Sequence, residues 1–281
     1  MIKTYRFKQF ALAGIAAGMS LPASAAIYTT SFDAPTFTAG AIEGQDGWVA
    51  QGQWEADGAG NITSTVGAFI RAHNTNVLGS TDIGENTTIT SVLTLGAFST
   101  PSNDIASFEQ GILQQGLSHQ QGVQAFNVGL AAGLFYNPGT GNVEFRQNQG
   151  LNETGTSSVV VGTASALGGT TYTMITSFTK TAADTWSVVA SLDDGTNPVL
   201  NLSYTANGQI ADLDTDSDGG GIIGGIQALP SAGGSGGVAT APFGPVSLSD
   251  FTIEVTPIPE PASLALIGLG VAAMLGRRQV R

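Results

Sequence analysis

Between residues 26 and 256 no stretch carries an apolar face at helical spacing, and short runs of alternating apolar and polar residues recur throughout. Thr87–Leu95, TTITSVLTL, and Val246–Val255, VSLSDFTIEV, show the pattern most cleanly. A two-residue period puts one side of the chain in a core and the other in water, which is the signature of a half-buried strand. A single α-turn at Ala164–Leu167 is the most helix the region predicts. No fixed-period repeat is present, which counts against a solenoid or a propeller. Many short strands divided by Gly-, Asn- and Asp-rich turns predict an all-β, two-sheet antiparallel sandwich.

The strands can be placed along the chain. Ile27–Phe32 is the first expected. Ala106–Leu113 and Ala125–Leu130 follow the Thr87 strand. Leu134–Tyr136 and Val143–Arg146 flank the turn sequence Asn137-Pro138-Gly139-Thr140-Gly141 and predict a hairpin. Thr171–Thr179 and Thr185–Ser191, rich in β-branched and aromatic residues, predict another. Val199–Tyr204, a segment opening at Gly219 and running through Leu229, and the Val246 strand complete the set.

Charge is distributed unevenly. The chain carries a net −12, yet Lys3, Arg6, Lys8, Arg277, Arg278 and Arg281 take six of its nine basic residues to the termini. Arg71, Arg146 and Lys180 alone face twenty acids between residues 26 and 256, which leaves that region at −17. Such a surface repels phosphate, so nucleic acid is excluded as a partner, and it suits a cation or a neutral glycan. With no cysteine, stability must come from burial and hydrogen bonds.

Both ends read as addresses. Residues 1–25 have the parts of a secretory signal helix: the basic start, an apolar run from Phe10 to Leu21, and Ala23-Ser24-Ala25 for signal peptidase. Residues 257–281 open with Pro259-Glu260-Pro261, continue through the apolar run Ala262–Gly276, and close on Arg277, Arg278 and Arg281. A helix over that run spans roughly 22 Å, short of the roughly 30 Å of a bilayer core. It predicts a marginal or transient membrane segment with its arginines on the cytoplasmic side.

The proline-flanked Glu260, the apolar run and the arginine stop resemble a PEP-CTERM sorting signal. That resemblance implies export across the inner membrane, transient anchoring, and processing by an exosortase, a membrane cysteine transpeptidase often found with exopolysaccharide production. The domain between, 26–256, carries a second resemblance. FDAPTFTAGAIEGQDGW near its start, TSFTKTAADTWSVVASLDDG at its middle and LSDFTIEV at its close are similar to a concanavalin A-like or laminin-G-like jelly roll. The resemblance implies a first strand beside the last, with Phe32 and Phe251 in one core and Asp33 near Asp250. It further implies saccharide binding on a concave sheet and a structural calcium, as expectations that the fold alone does not grant.

Candidate sites divide by chemistry. Asp214, Asp216, Asp218 and Gly219 match the first, third, fifth and sixth positions of an EF-hand loop, where alternate carboxylates meet a calcium ion. Gly225 stands where that loop needs a bidentate glutamate, and Ile222 offers no oxygen at the ninth position. Asp33 with Asp250 is the other calcium candidate. Trp48, Trp54, Tyr136 and Trp186 are candidate platforms for a pyranose face, against the alternative that each packs in the core. No catalytic pattern survives. Gly219–Gly224 matches GxGxxG behind four aspartates. Gly233–Gly237 matches GxSxG with no histidine after Ser235. His73 and His119 are isolated. The alternating acid triplet of jelly-roll glucanases is absent, Glu55-Ala56-Asp57 being the nearest fragment. The expectation is a non-enzymatic surface or matrix protein, adhesive or glycan-binding, associated with exopolysaccharide. The alternatives are a glucanase or lyase on the same fold, or a structural sheath component.

Overall fold

A computed structural model describes residues 25–51, 54–64, 70–79, 83–101, 105–114, 130–148, 157–182, 185–207, 222–228 and 242–256. They belong to one compact unit, Ala25–Pro257. Residues 1–24 of the signal segment, Ala23 among them, and the sorting segment with its Pro259–Pro261 motif and terminal arginines lie outside the described residues, as do Asp214, Asp216 and Asp218. Among the described residues no helix is long and apolar enough to cross a membrane.

The unit is an antiparallel jelly-roll sandwich. One sheet runs β15 (Leu200–Asn207), β14 (Thr185–Asp193), β13 (Thr171–Ala182), β7 (Asn86–Thr94), β18 (Ser247–Thr256), β5 (Ile62–Ser64), β4 (Trp54–Ala56) and β2 (Gly40–Ala41). Its ninth strand, β1 (Ala26–Thr30), pairs with β18. The other sheet has seven strands: β12 (Ser158–Thr163), β11 (Asn142–Asn148), β10 (Leu130–Asn137), β9 (Ile105–Gln114), β16 (Ile222–Ala228), β6 (Ile70–Gly79) and β3 (Trp48–Gln51). A small ribbon joins β8 (Ala97–Phe98) to β17 (Phe243–Gly244).

The register follows from the alternation. Ile89, Leu93, Met174, Phe178, Val188, Phe251 and Ile253 are fully buried on the inner face of the nine-stranded sheet. Phe108, Ile112, Leu134 and Phe145 oppose them from the seven-stranded sheet. The expected hairpins form at β10–β11 and β13–β14, and the expected single turn is a 3-10 turn at Ala164–Ala166. First and last strands are neighbours: Thr30 pairs with Phe251. Phe251 sits 5.0 Å from Trp48, and Trp48 sits 5.9 Å from Phe32, one continuous aromatic cluster. Strands β6 and β12 were not among those expected from the pattern.

The two sheets are also pinned by a polar bond set inside the core. Gln110 of β9 points inward, and its Nε2 donates to Ile89 O at 3.1 Å, Met174 O at 3.2 Å and Thr176 Oγ1 at 3.0 Å. Ser91 Oγ donates to its Oε1. Gln110, Ser91 and Thr176 are all 0% exposed.

Candidate functional site

The side of the seven-stranded sheet that faces away from the core carries a different chemistry. Central strand β9 alternates Phe108, Gln110 and Ile112 inward, which leaves Glu109 and Gly111 outward. Register then aligns a transverse row of five residues. Arg71 of β6 opposes Gln227 of β16, Gln227 opposes Glu109, Glu109 opposes Gly133 of β10, and Gly133 opposes Arg146 of β11. Two of the domain's three basic residues thus fall in one row.

Glu109 and Gln227 are each 1% exposed. Gln227 Nε2 donates to Glu109 Oε2 at 2.9 Å. That bond leaves Gln227 Oε1 buried with no partner, and Ser107 Oγ, two residues before Glu109, is buried unpartnered as well. Ser107 is the extra residue where β9 slips past β10. Such bulges re-aim side chains beside functional sites. Buried polar atoms are nearly always satisfied, so these two orphans need an explanation.

Gly133 makes room for the carboxylate. A Cβ there would fall 2.5 Å from Glu109 Cγ and 2.5 Å from Phe108 O. Gly133→Val is therefore expected to expel Glu109 from the row and lower stability by about 1–3 kcal/mol, the usual penalty of overpacking. Denaturant midpoints measure the stability change, and an unchanged midpoint would contradict the placement.

One strand pair along, a second polar group completes the face. Arg146 Nε meets Glu144 Oε2 at 2.8 Å, Asn137 Nδ2 donates to Glu144 Oε1 at 2.8 Å, and the Arg146 guanidinium lies 5.5 Å over the Phe135 ring. Burial pushes the Glu144 carboxyl up, but the Arg146 and Asn137 bonds and the Arg146 charge outweigh it and hold it below the usual carboxylate range. Glu144 therefore stays ionised and paired.

The residues singled out from sequence stand elsewhere. Trp48, Trp54, Tyr136 and Trp186 are 1%, 0%, 5% and 3% exposed, and all four belong to the hydrophobic core. Each falls on a core-facing position of its strand, and burial of a large ring outweighs its exposure there. Trp48 Nε1 donates to Tyr28 Oη at 3.1 Å, and Lys180 Nζ lies 5.8 Å over Trp186. Asp33 and Asp250 are exposed and each accepts from its own neighbour, Ser31 at 2.7 Å and Ser249 at 3.2 Å. Among the described residues no group of three His, Asp or Glu side chains converges as a metal site would. Glu109, Gln227, Phe135, Glu144 and Arg146 escaped the sequence reading. The available signal was an isolated glutamate in the apolar run ASFEQGIL and the scarcity of arginine.

Comparison with known proteins bears on the tail and the fold separately. Residues 257–281 match the PEP-CTERM protein-sorting motif. No curated protein matches the sequence. Among solved structures, lectin II from Ulex europaeus is 9% identical, with 83% of this chain and 99% of that one covered at a TM-score of 0.53. Arcelin-5, a lectin-like defence protein from Phaseolus vulgaris, is also 9% identical over 83% and 99%, with a TM-score of 0.52. Winged bean acidic lectin complexed with methyl-α-D-galactose gives 9%, 83%, 99% and 0.51. At this identity the likeness establishes the lectin-like jelly roll and nothing beyond it.

Proposed function

We propose that this chain is an exported surface protein whose jelly roll binds a neutral glycan at the outer face of its seven-stranded sheet. The sorting motif implies export and handling by an exosortase. The association with exopolysaccharide, and release into the envelope or matrix after tail processing, belong to the proposal.

The observation that carries the reading is the buried, unpartnered Gln227 Oε1, whose amide nitrogen donates to Glu109, together with the buried, unpartnered Ser107 Oγ two residues before Glu109 in β9. Both are buried, so the accessible part of this face is the half-buried Phe135, Glu144 and Arg146, and a sugar reaching the acceptors past them would supply hydroxyl donors. Phe135 supplies an apolar surface there, and the Glu144–Arg146 pair supplies planar polar groups without net charge. A neutral ligand fits that balance, since an acidic polymer would meet the Glu109 carboxylate and a strongly negative domain.

Non-enzymatic binding is the preferred reading over glycan cleavage. Glycoside hydrolysis uses one carboxyl as acid and another as base or nucleophile across the bond. Here Glu144 is ion-paired, and its lowered pKa opposes a role as the acid. The test is a polysaccharide array followed by calorimetry with any hit. Binding by the wild type and at least about tenfold weaker binding by Glu109→Ala, roughly the 1.4 kcal/mol of one good polar contact, are expected. Equal affinity of the two proteins would remove the face from consideration. Release of new reducing ends from a bound glycan would instead make the protein an enzyme.

A further inference from the structure

We infer that strand β15 is a self-association edge through which two copies of this chain join their nine-stranded sheets. A free sheet edge presents a row of unpaired N–H and C=O groups, and native proteins blunt such edges with charge, proline, bulges or brevity. The other edges of this sandwich are blunted. β2 has two residues, β3 has four, and β12 carries a register slip against β11. Free β1 is five residues long.

β15 has none of these devices. It pairs with β14 in unbroken register over eight residues, from Thr185 opposite Asn207 to Leu192 opposite Leu200. Among the described residues nothing pairs with its far side. No charged residue and no proline lies within Leu200–Asn207. Asn201, Ser203 and Thr205 are exposed on its outer face, and Val189 of the neighbouring strand is 51% exposed. Tyr204 Oη donates to Ala131 O at 2.8 Å, which ties the strand to the opposite sheet and keeps it extended. In a domain of net −17, this corner lets two copies approach without facing carboxylates across the joined strands. Asp193 and Asp194 lie beyond the Leu200 end, so antiparallel pairing sends the two aspartate turns to opposite ends of the joint.

Side-chain parity fixes the partner and the register. In an antiparallel pair, facing residues must lie on the same side of the sheet. A two-fold axis through Ser203 satisfies this for both faces. Ser203 then meets its own copy, Asn201 meets Thr205, and on the core side Leu202 meets Tyr204 and Leu200 meets Ala206. Polar faces polar and apolar faces apolar, so the edge complements itself.

The chain has no cysteine, which makes the joint directly testable. Paired residues across antiparallel strands have Cα atoms about 4.5–5.5 Å apart, within disulfide range. The exported protein should sediment as a dimer at micromolar concentration. Ser203→Cys should form a disulfide-linked dimer several-fold faster than Thr29→Cys, an exposed position on a different strand. Ser203→Lys should sediment as a monomer with unchanged circular dichroism, and mixing it with Ser203→Glu should restore association. A monomeric wild type, or cysteines at 203 and 29 that cross-link at equal rates, would overturn the inference. Because sedimentation needs no sugar, these results are independent of whether the glycan reading holds.

Discussion

Gln110→Ala is expected to destabilise the sandwich by about 3–5 kcal/mol, which approaches the whole stability of a marginal domain. The amide is the polar cross-piece of the core. Its removal leaves the Ser91 hydroxyl and the Thr176 hydroxyl buried without their bonds, and each such orphan costs about 1–3 kcal/mol. A cavity of one methylene and an amide adds to this, because the surrounding β7 and β13 carbonyls belong to a ladder that collapses little. Gln110→Leu separates the contributions. It refills the space, so its cost should be smaller and come from the orphaned Ser91 and Thr176 hydroxyls. The pair Gln110→Leu with Ser91→Ala should recover part of the loss, since removing both ends of a buried bond is far milder than removing one. Guanidinium melts of the wild type, Gln110→Leu, Ser91→Ala and the double variant measure the cycle. Additive losses would show that the Ser91–Gln110 bond contributes nothing of its own.

The same residue shows why the fold was readable and the site was not. β7, β13, β14 and β18 have one face in water, so their apolar residues alternate and the strands stand out in the sequence. β16 is buried at every position, and β10 at its first five. A strand enclosed on both faces loses its two-residue period. Glu109 and Gln110 sit side by side in such a strand, one facing out and the other into the core, and no local pattern says which is which. β6 hid for another reason: Asn74 occupies a buried position and donates to Asp46 O at 3.0 Å, so polar residues interrupt the apolar face. The tryptophans show a related limit. A ring on a strand is legible as an aromatic, but the side it faces depends on pairing partners up to two hundred residues away, as Trp48 with Phe251 shows. The calcium expectation for Asp33 and Asp250 came from proximity of the first and last strands, which the fold does show. Each aspartate accepts a hydrogen bond from its own serine.

Stability should fall steeply once the pH passes about 10, the ordinary tyrosine value. Burial, followed by the bond to Asp46, holds the Tyr28 hydroxyl well above that value. Tyr28 Oη donates to Asp46 Oδ2 at 2.8 Å, so a phenolate there would face a carboxylate in place of a hydrogen bond. Burial and the nearby Asp194 charge push Tyr172 up to about 12. Both groups keep their protons longer when folded than when unfolded. Their contribution is complete below about pH 10 and is lost as the pH rises toward the folded values, because only the unfolded chain then releases protons. The slope is at most about 1.4 kcal/mol per pH unit for each tyrosine, so two of them remove several kcal/mol over little more than one unit. Denaturant midpoints at neutral pH and at successive alkaline values give the slope, and phenolate absorbance shows whether ionisation coincides with unfolding. Tyr172→Phe should flatten the alkaline fall by about half with little change at neutral pH. Tyr28→Phe should flatten it similarly, but should also weaken the neutral fold, since Asp46 and the Trp48 Nε1 each lose a bond. Parallel alkaline slopes in the wild type and both variants would show that neither ring is sealed as the sandwich places it.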